Sequence, residues 1–390
     1  MSGWRFALTV AALVLLAGEG SAKPYMPESD AAVLERLPEK GDPALAQLKQ
    51  MRAVLMANPR DLDIAAPVVR RALEAARTLG DPRFLGQAQA ALAPWWTGDD
   101  VPATALLLRA TLKQSQHDFD GSLADLDRLL AAHPALAQAR LTRATVLAVR
   151  GRNADAIRDC RALEGHVAPI VAAGCLATPA SLSGSAAAAY GALVAALAYG
   201  QGNPDVREWA LTLAAEIAAR RGDYRAAEGH FREALALDPR DAYLKGVYAE
   251  FLIDRDRPRE VIPLLRDDVR NDTLLLRLAQ AEKRVPEARA AFAAHREDLA
   301  ARFEAARRRG DSLHRREEAQ FRLSIEDDAR AALKLARDNW SVQREPADLR
   351  ILVEAAHAAG DAGALRIASD WIAAMHLEDA AIVPMLEARQ

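Results

Sequence analysis

The chain is poor in aromatic rings, which make up 5% of its 390 residues. Alanine is abundant instead, so any core is packed through small side chains, as in a helical protein. Charge of one sign is also missing. The net charge is −3, with acidic and basic residues mixed along the chain, and no basic footprint of the kind nucleic-acid binding leaves is present. Lysine accounts for only seven of the 51 basic residues, which suggests a GC-rich bacterial genome. Beyond the N-terminus no stretch is long and apolar enough to span a bilayer. Familiar catalytic patterns are absent too. No His-Glu-x-x-His pair, phosphate-cradling glycine loop or Gly-x-Ser-x-Gly elbow occurs, so the serines at 181–185 read as turn formers. No cofactor and no metal is expected, and the chain reads as non-catalytic.

The chain opens on one positive charge within Met1–Arg5, then an apolar run from Phe6 to Ala17 and the small residues Gly20-Ser21-Ala22. This is the layout of an export signal, residues 1–22, leaving Lys23 as the mature N-terminus. A retained anchor is the competing reading, but the run is shorter than the roughly 20 residues a spanning helix needs. No cysteine follows it, which argues against a lipoprotein. The expected location is periplasmic or secreted, with no stable membrane insertion after signal removal.

The stretch 208–241 is the unit around which the rest of the chain is organised. Leu211, Ala214, Ala215 and Ala218 lie on one face of a helix that Gly222 ends, since glycine takes a left-handed conformation at no steric cost. Asp223 caps a second helix whose face is Tyr224, Ala227, Phe231 and Ala234, and Pro239 stops it. Two short amphipathic helices cannot bury these faces alone; they need neighbours of the same kind. The small pair Ala215/Ala227 recurs upstream as Ala177/Ala189, Ala144/Ala156 and Ala110/Ser122, at steps of 34, 33 and 38 residues from 110 to 215. Phe231 is matched by Leu193, Cys160 and Leu126, Gly222 by Gly184, Gly151 and His117, and Pro239 by Pro134. This register resembles the tetratricopeptide repeat, with Leu211 where that family's leading Trp stands. The resemblance implies an all-α fold, an α-α superhelix or solenoid of antiparallel helix pairs.

The expected layout places a flexible lead-in at 23–42 with helical turns at 29–37, N-terminal helical repeats at 43–100, central repeats at 101–268, and degenerate repeats with a C-terminal cap at 269–390. Helices are expected at 43–57, 62–79 and 83–93, in repeats at 103–134, 137–168 and 170–200, and at 242–254, 258–268, 273–283, 286–309, 347–359 and 362–375. The stretch 312–340 reads as charged and helical, with Arg315, Arg316, Glu317 and Glu318 on a solvated face; Asp327 and Asp328 read as solvated as well. A metal or acid–base role for His314 beside Glu317 is the sharper alternative. The Trp95-Trp96 loop reads as the seal of a core edge rather than a binding platform. Cys160 and Cys175 lie on consecutive helices, and an even count in an exported chain favours a disulfide over two buried thiols.

For function, the resemblance implies a scaffold that binds a protein or peptide partner through the concave side of its first helices. The residues there are Thr111, Gln114, Thr145, Trp209, Thr212, Glu216, Arg220 and Tyr243, with Trp209 and Tyr243 as aromatic anchors. Packing between adjacent helices is the alternative role for some of them. The rival functions are a cell-envelope enzyme, such as a wall-modifying hydrolase or its subunit, and a structural spacer in an envelope complex.

Overall fold

In the computed structural model, residues 43–98, 100–199, 203–310 and 314–387 are described, and the expected signal and lead-in fall outside them. Ala44–Gln390 is one compact unit. Its helices are α1 (Pro43–Ala57), α2 (Leu62–Leu79), α3 (Arg83–Ala91), α4 (Ala103–Ser115), α5 (Phe119–Ala132), α6 (Ala137–Val149), α7 (Asn153–Arg161), α8 (Pro169–Ser181), α9 (Ala186–Tyr199) and α10 (Pro204–Arg220). The series continues with α11 (Tyr224–Leu237), α12 (Ala242–Asp254), α13 (Pro258–Leu265), α14 (Asp272–Lys283), α15 (Arg289–Arg308), α16 (Arg315–Ser324), α17 (Ala329–Trp340), α18 (Pro346–Ala359), α19 (Ala362–Met375) and α20 (Ile382–Glu387). From α2 on, even-numbered helices pack on their even neighbours and each odd helix packs behind its even partner. The result is a superhelix of helix pairs with no strand among the described residues.

The repeat register sets this packing. All four small pairs are buried, and Ser122 Oγ donates to the Ala110 carbonyl at 2.8 Å, so the two helices touch there. Enlarging such a contact forces the backbones apart. Ala215→Leu should therefore cost about 1–3 kcal/mol, read by thermal melting against Glu233→Ala on the exposed side. Phe231, Leu193, Cys160 and Leu126 are buried at the matching place on each second helix. Between the helices of these pairs, Gly222, Gly184, Gly151 and His117 all take left-handed backbone, at φ of 78°, 72°, 72° and 59°. Asp223 Oδ1 then accepts from the Ala226 amide, satisfying a free donor at the start of α11.

The stretch 312–340 is helical as the pair α16/α17, broken where Asp327 turns left-handed at φ 58° and Asp328 caps α17 through the Ala331 amide. Asp327-Asp328 does the work of Gly222-Asp223, with aspartate tolerating the left-handed turn as glycine does. The pattern at 286–309 begins as a short 3₁₀ turn at Pro286–Ala288 before α15.

The superhelix winds far enough for its start to meet its later pairs. The end of α2 reaches the N-caps of α12 and α14: Arg77 pairs with Asp241, and Asn271 Nδ2 lies 3.5 Å from the Leu79 carbonyl oxygen.

Candidate functional site

The eight residues expected on the inner face separate once the helices are packed. Tyr243 donates its hydroxyl to Glu216 Oε1 at 2.9 Å, from α12 to α10. Arg220 Nη2 donates to Ser181 Oγ at 2.9 Å, from α10 to α8. Thr145 is exposed, and Thr111 and Gln114 are half-buried; both threonine hydroxyls are turned back on their own helices, to Leu141 and Leu107 carbonyls. Thr212 does not line the surface. It is 3% exposed, its hydroxyl held by Glu208, because α10 is covered by a neighbour on that side too. Trp209 is half-committed to packing: its ring lies over Gly174 of α8 so closely that a Cβ there would sit 2.4 Å from it.

Tyr243 is 55% exposed at the inner face, with its hydroxyl engaged by Glu216. Burial, then the charges of Glu216 and Glu345, push its phenol well above the ordinary range. Burial likewise raises the Glu216 carboxyl, against the pull of Arg220 and the Tyr243 hydroxyl.

A second region, not singled out in the sequence, is a cavity of about 230 Å³ between the first helices α12, α14, α16 and α18. Ile253, Leu323 and Ile351 give it apolar wall, and polar groups tie the helices around it. Arg277 Nη2 donates to Glu250 at 2.7 Å and its Nη1 to Gln320 at 3.0 Å, joining α14 to α12 and α16. Gln280 Nε2 donates to Ser324 Oγ at 2.9 Å. Across the cavity Arg350 of α18 grips both oxygens of Asp254, at 2.5 and 2.7 Å. Burial works against the Glu250 carboxylate, but Arg277, Arg350 and Arg316 together hold it below the usual range. The signal for these residues was present: they sit between core positions of first helices, as Tyr243 does. The degenerate spacing after Asp241 hid it.

The expected solvated face on α16 is wrong for three of its four residues. Glu317 and Glu318 are each 7% exposed, and Arg316 Nη1 reaches Glu345 at 3.1 Å and the fully buried Asp348 at 3.4 Å. The cause is α18, which packs on α16 and brings two carboxylates to its start. Asp348 also accepts from Asn339 Nδ2 at 2.8 Å and from the Glu345 amide at 2.9 Å, completing the cap of α18.

Burial raises the Asp348 carboxyl from 3.8 to about 6, with Glu345 adding to the rise and Arg316 opposing it. The folded protein thus holds this proton more tightly than the unfolded chain. The stability it contributes is complete below pH 3.8 and lost as pH rises through about 6. Asp348→Asn removes the titration. The stability of the native protein minus that of the variant should fall by up to about 3 kcal/mol from pH 4 to pH 7, at 1.36 kcal/mol per unit, measured by urea denaturation at each pH. A difference that stays constant over this window means that Asp348 does not titrate there.

Elsewhere, Trp95 and Trp96 are partly buried against the core of α1–α4, and Arg109 Nη1 donates to both their carbonyls at 3.0 and 2.9 Å. Cys160 and Cys175 are disulfide-bonded with Cα atoms 5.5 Å apart, tying α7 to α8. A closed loop of 15 residues is worth on the order of 3 kcal/mol in the chain-entropy picture. Among the described residues no group of three or more His, Cys, Asp or Glu is placed to hold a metal ion, and His314 stands at the start of α16 as its N-cap.

No family model matches the chain, and no curated protein does. Solved structures similar to it include the Cut9–Hcn1 hetero-tetramer of the APC/C, at 14% identity and TM-score 0.40 over 80% of this chain and 52% of that one. The chain thus spans about half the length of that protein. A tetratricopeptide repeat protein from Parabacteroides merdae matches at 14% identity and TM-score 0.37 over 74% of this chain and 98% of its own. Yeast Tom70 matches at 12% identity and TM-score 0.39, covering 88% and 84%. In its own helix pairs, left-handed turns and small-residue contacts, the chain is an all-α superhelix of antiparallel helix pairs whose repeat register is similar to the tetratricopeptide repeat.

Proposed function

We propose that this protein is an exported, periplasmic or secreted, non-catalytic scaffold that binds a protein or peptide partner through the inner side of its first helices. The observation that carries the reading is the cavity between α12, α14, α16 and α18. Its mixed walls, three aliphatic side chains among ion-paired polar ones, suit a few side chains of a peptide held by polar contacts. Tyr243 and Glu216 extend the same inner side toward the central repeats. Such a surface is neither strongly basic nor a continuous apolar stripe, so nucleic acid and a membrane surface suit it poorly.

Site-specific photo-crosslinking in the host envelope tests this. A photoreactive residue at Gln280 or Tyr243 should trap one and the same discrete protein, while one at Arg232 on the second-helix side should not. Trapping at Arg232 alone would move the binding surface to the outside. Turnover of a cell-wall substrate by the purified chain would replace the scaffold with the enzymatic reading.

A further inference from the structure

The apolar core is not continuous to the C-terminus. One cluster runs from Ile170 to Ile325, and a second joins α17–α20 to Ala319 and Leu182. Helix α16 belongs to both, with Phe321 in the first and Ala319 in the second. The last helices therefore pack around a core of their own, joined to the first cluster through α16. These helices and the loop at 341–345 fold back onto the superhelix and meet the turns within five successive pairs.

The contacts are specific. At the turn between α4 and α5, Gln343 Nε2 lies 3.0 Å from His117 Nδ1. At α6/α7, Arg150 Nη1 donates to the Val342 carbonyl at 3.0 Å, and the Arg344 amide donates to the Val149 carbonyl at 2.8 Å. The Trp371 ring covers Gly151, where a Cβ would come within 2.4 Å of it. At α8/α9, His376 Cβ lies 3.0 Å from where a Cβ on Gly184 would be, and at α10/α11 the Ala380 amide donates to the Arg220 carbonyl at 2.7 Å. At α12/α13 Arg350 holds Asp254. Most of this seam is hydrogen bonds and close approaches to turn backbone. Its apolar share is the Trp371 ring over Gly151, Val342 against the core around α6 and α7, and Leu182 against the core of α17–α20. A seam that joins fewer apolar side chains than either core parts at less cost than they do.

We propose that α17–α20 are a latch arm, hinged on α16, which closes the superhelix over its inner face by docking on these turns and opens to admit a partner's segment. Glu345, at the start of α18, acts through its charge on both Tyr243 and Glu216, so the arm begins beside the inner residues of the central repeats. In the closed state small molecules reach Tyr243 and bulky ones do not. That a partner's segment is what enters rests on the proposed function, whereas the opening itself is tested without a partner.

Thiol accessibility tests it without a partner. Tyr243→Cys supplies the only free thiol, because Cys160 and Cys175 are bonded to each other. A lock is available at Gly222→Cys with Ala380→Cys: a Cβ on Gly222 would lie 3.5 Å from Ala380 Cβ, within the span of a disulfide. N-ethylmaleimide should label Tyr243→Cys at equal rates with and without the oxidised lock. A maleimide on a long poly(ethylene glycol) chain should label the locked protein at least about tenfold more slowly, equivalent to about 1.4 kcal/mol. Because a cysteine at the left-handed Gly222 position is strained, an opening variant serves as a second measurement. Arg150→Ala with Trp371→Ala should speed bulky labelling at unchanged helical content. Equal bulky rates in locked, unlocked and opened proteins would overturn the latch, and so would an unlocked protein that never reacts with the bulky reagent.

Discussion

Phe231→Ala should destabilise the central repeats by about 3–5 kcal/mol, the usual range for truncating a fully buried phenylalanine. Phe231 is 1% exposed, and its ring meets Tyr248 and Phe251 at centroid distances of 5.3 and 5.5 Å. It joins α11 to the next first helix, α12. Removing it leaves a cavity between two pairs, and in a repeat array each pair is supported only by its neighbours. The loss should thus be local first: amide exchange should rise across α10–α13 before it rises in α2–α5. Phe231→Leu is the control, because Leu126 and Leu193 occupy the matching place in earlier pairs; it should cost about 1 kcal/mol. If Phe231→Ala and Phe231→Leu melt together, the register drawn through 126, 160, 193 and 231 is not the one that packs.

The second large effect concerns charge. Arg316→Met should cost about 2–4 kcal/mol, because it removes the cation paired with the buried Asp348 and Glu317. Arg316 keeps about a quarter of its side chain in water, 26%, which sets the figure below that of a fully enclosed pair. Burial disfavours its charged form, yet Asp348, Glu317 and Glu345 together hold the guanidinium protonated well above its ordinary range. The neighbouring Arg315→Ala should change stability by less than about 0.5 kcal/mol, as at an ordinary surface site. Urea midpoints of the two variants make the comparison, and midpoints that coincide would restore the solvated face expected from the sequence. The double variant Arg316→Met with Asp348→Asn should recover part of the loss, since the buried carboxylate is then gone.

Helix pairs, their turns and their internal contacts were legible in the residues alone. Ala215 and Ala227 marked the close approach of two backbones because only small side chains permit it, and Gly222-Asp223 marked the turn because few residues accept a left-handed backbone followed by a cap. These are local rules that act within about 34 residues, and α1, α2 and the central pairs follow them. The break at Asp327-Asp328 was open to the same rule, hidden by reading two aspartates as charge rather than as turn. The burial of Arg316, Glu317 and Glu318, the cavity walled by α12–α18, and the docking of 342–380 on the turns at 117–222 were not legible. Each depends on where one pair stands relative to another far along the chain. That position is the sum of a small rotation at every interface, set by the volumes of the side chains packed there. No periodicity in the chain records that sum, so the partners of Arg316 and the docking of 342–380 were decided only by the packed superhelix.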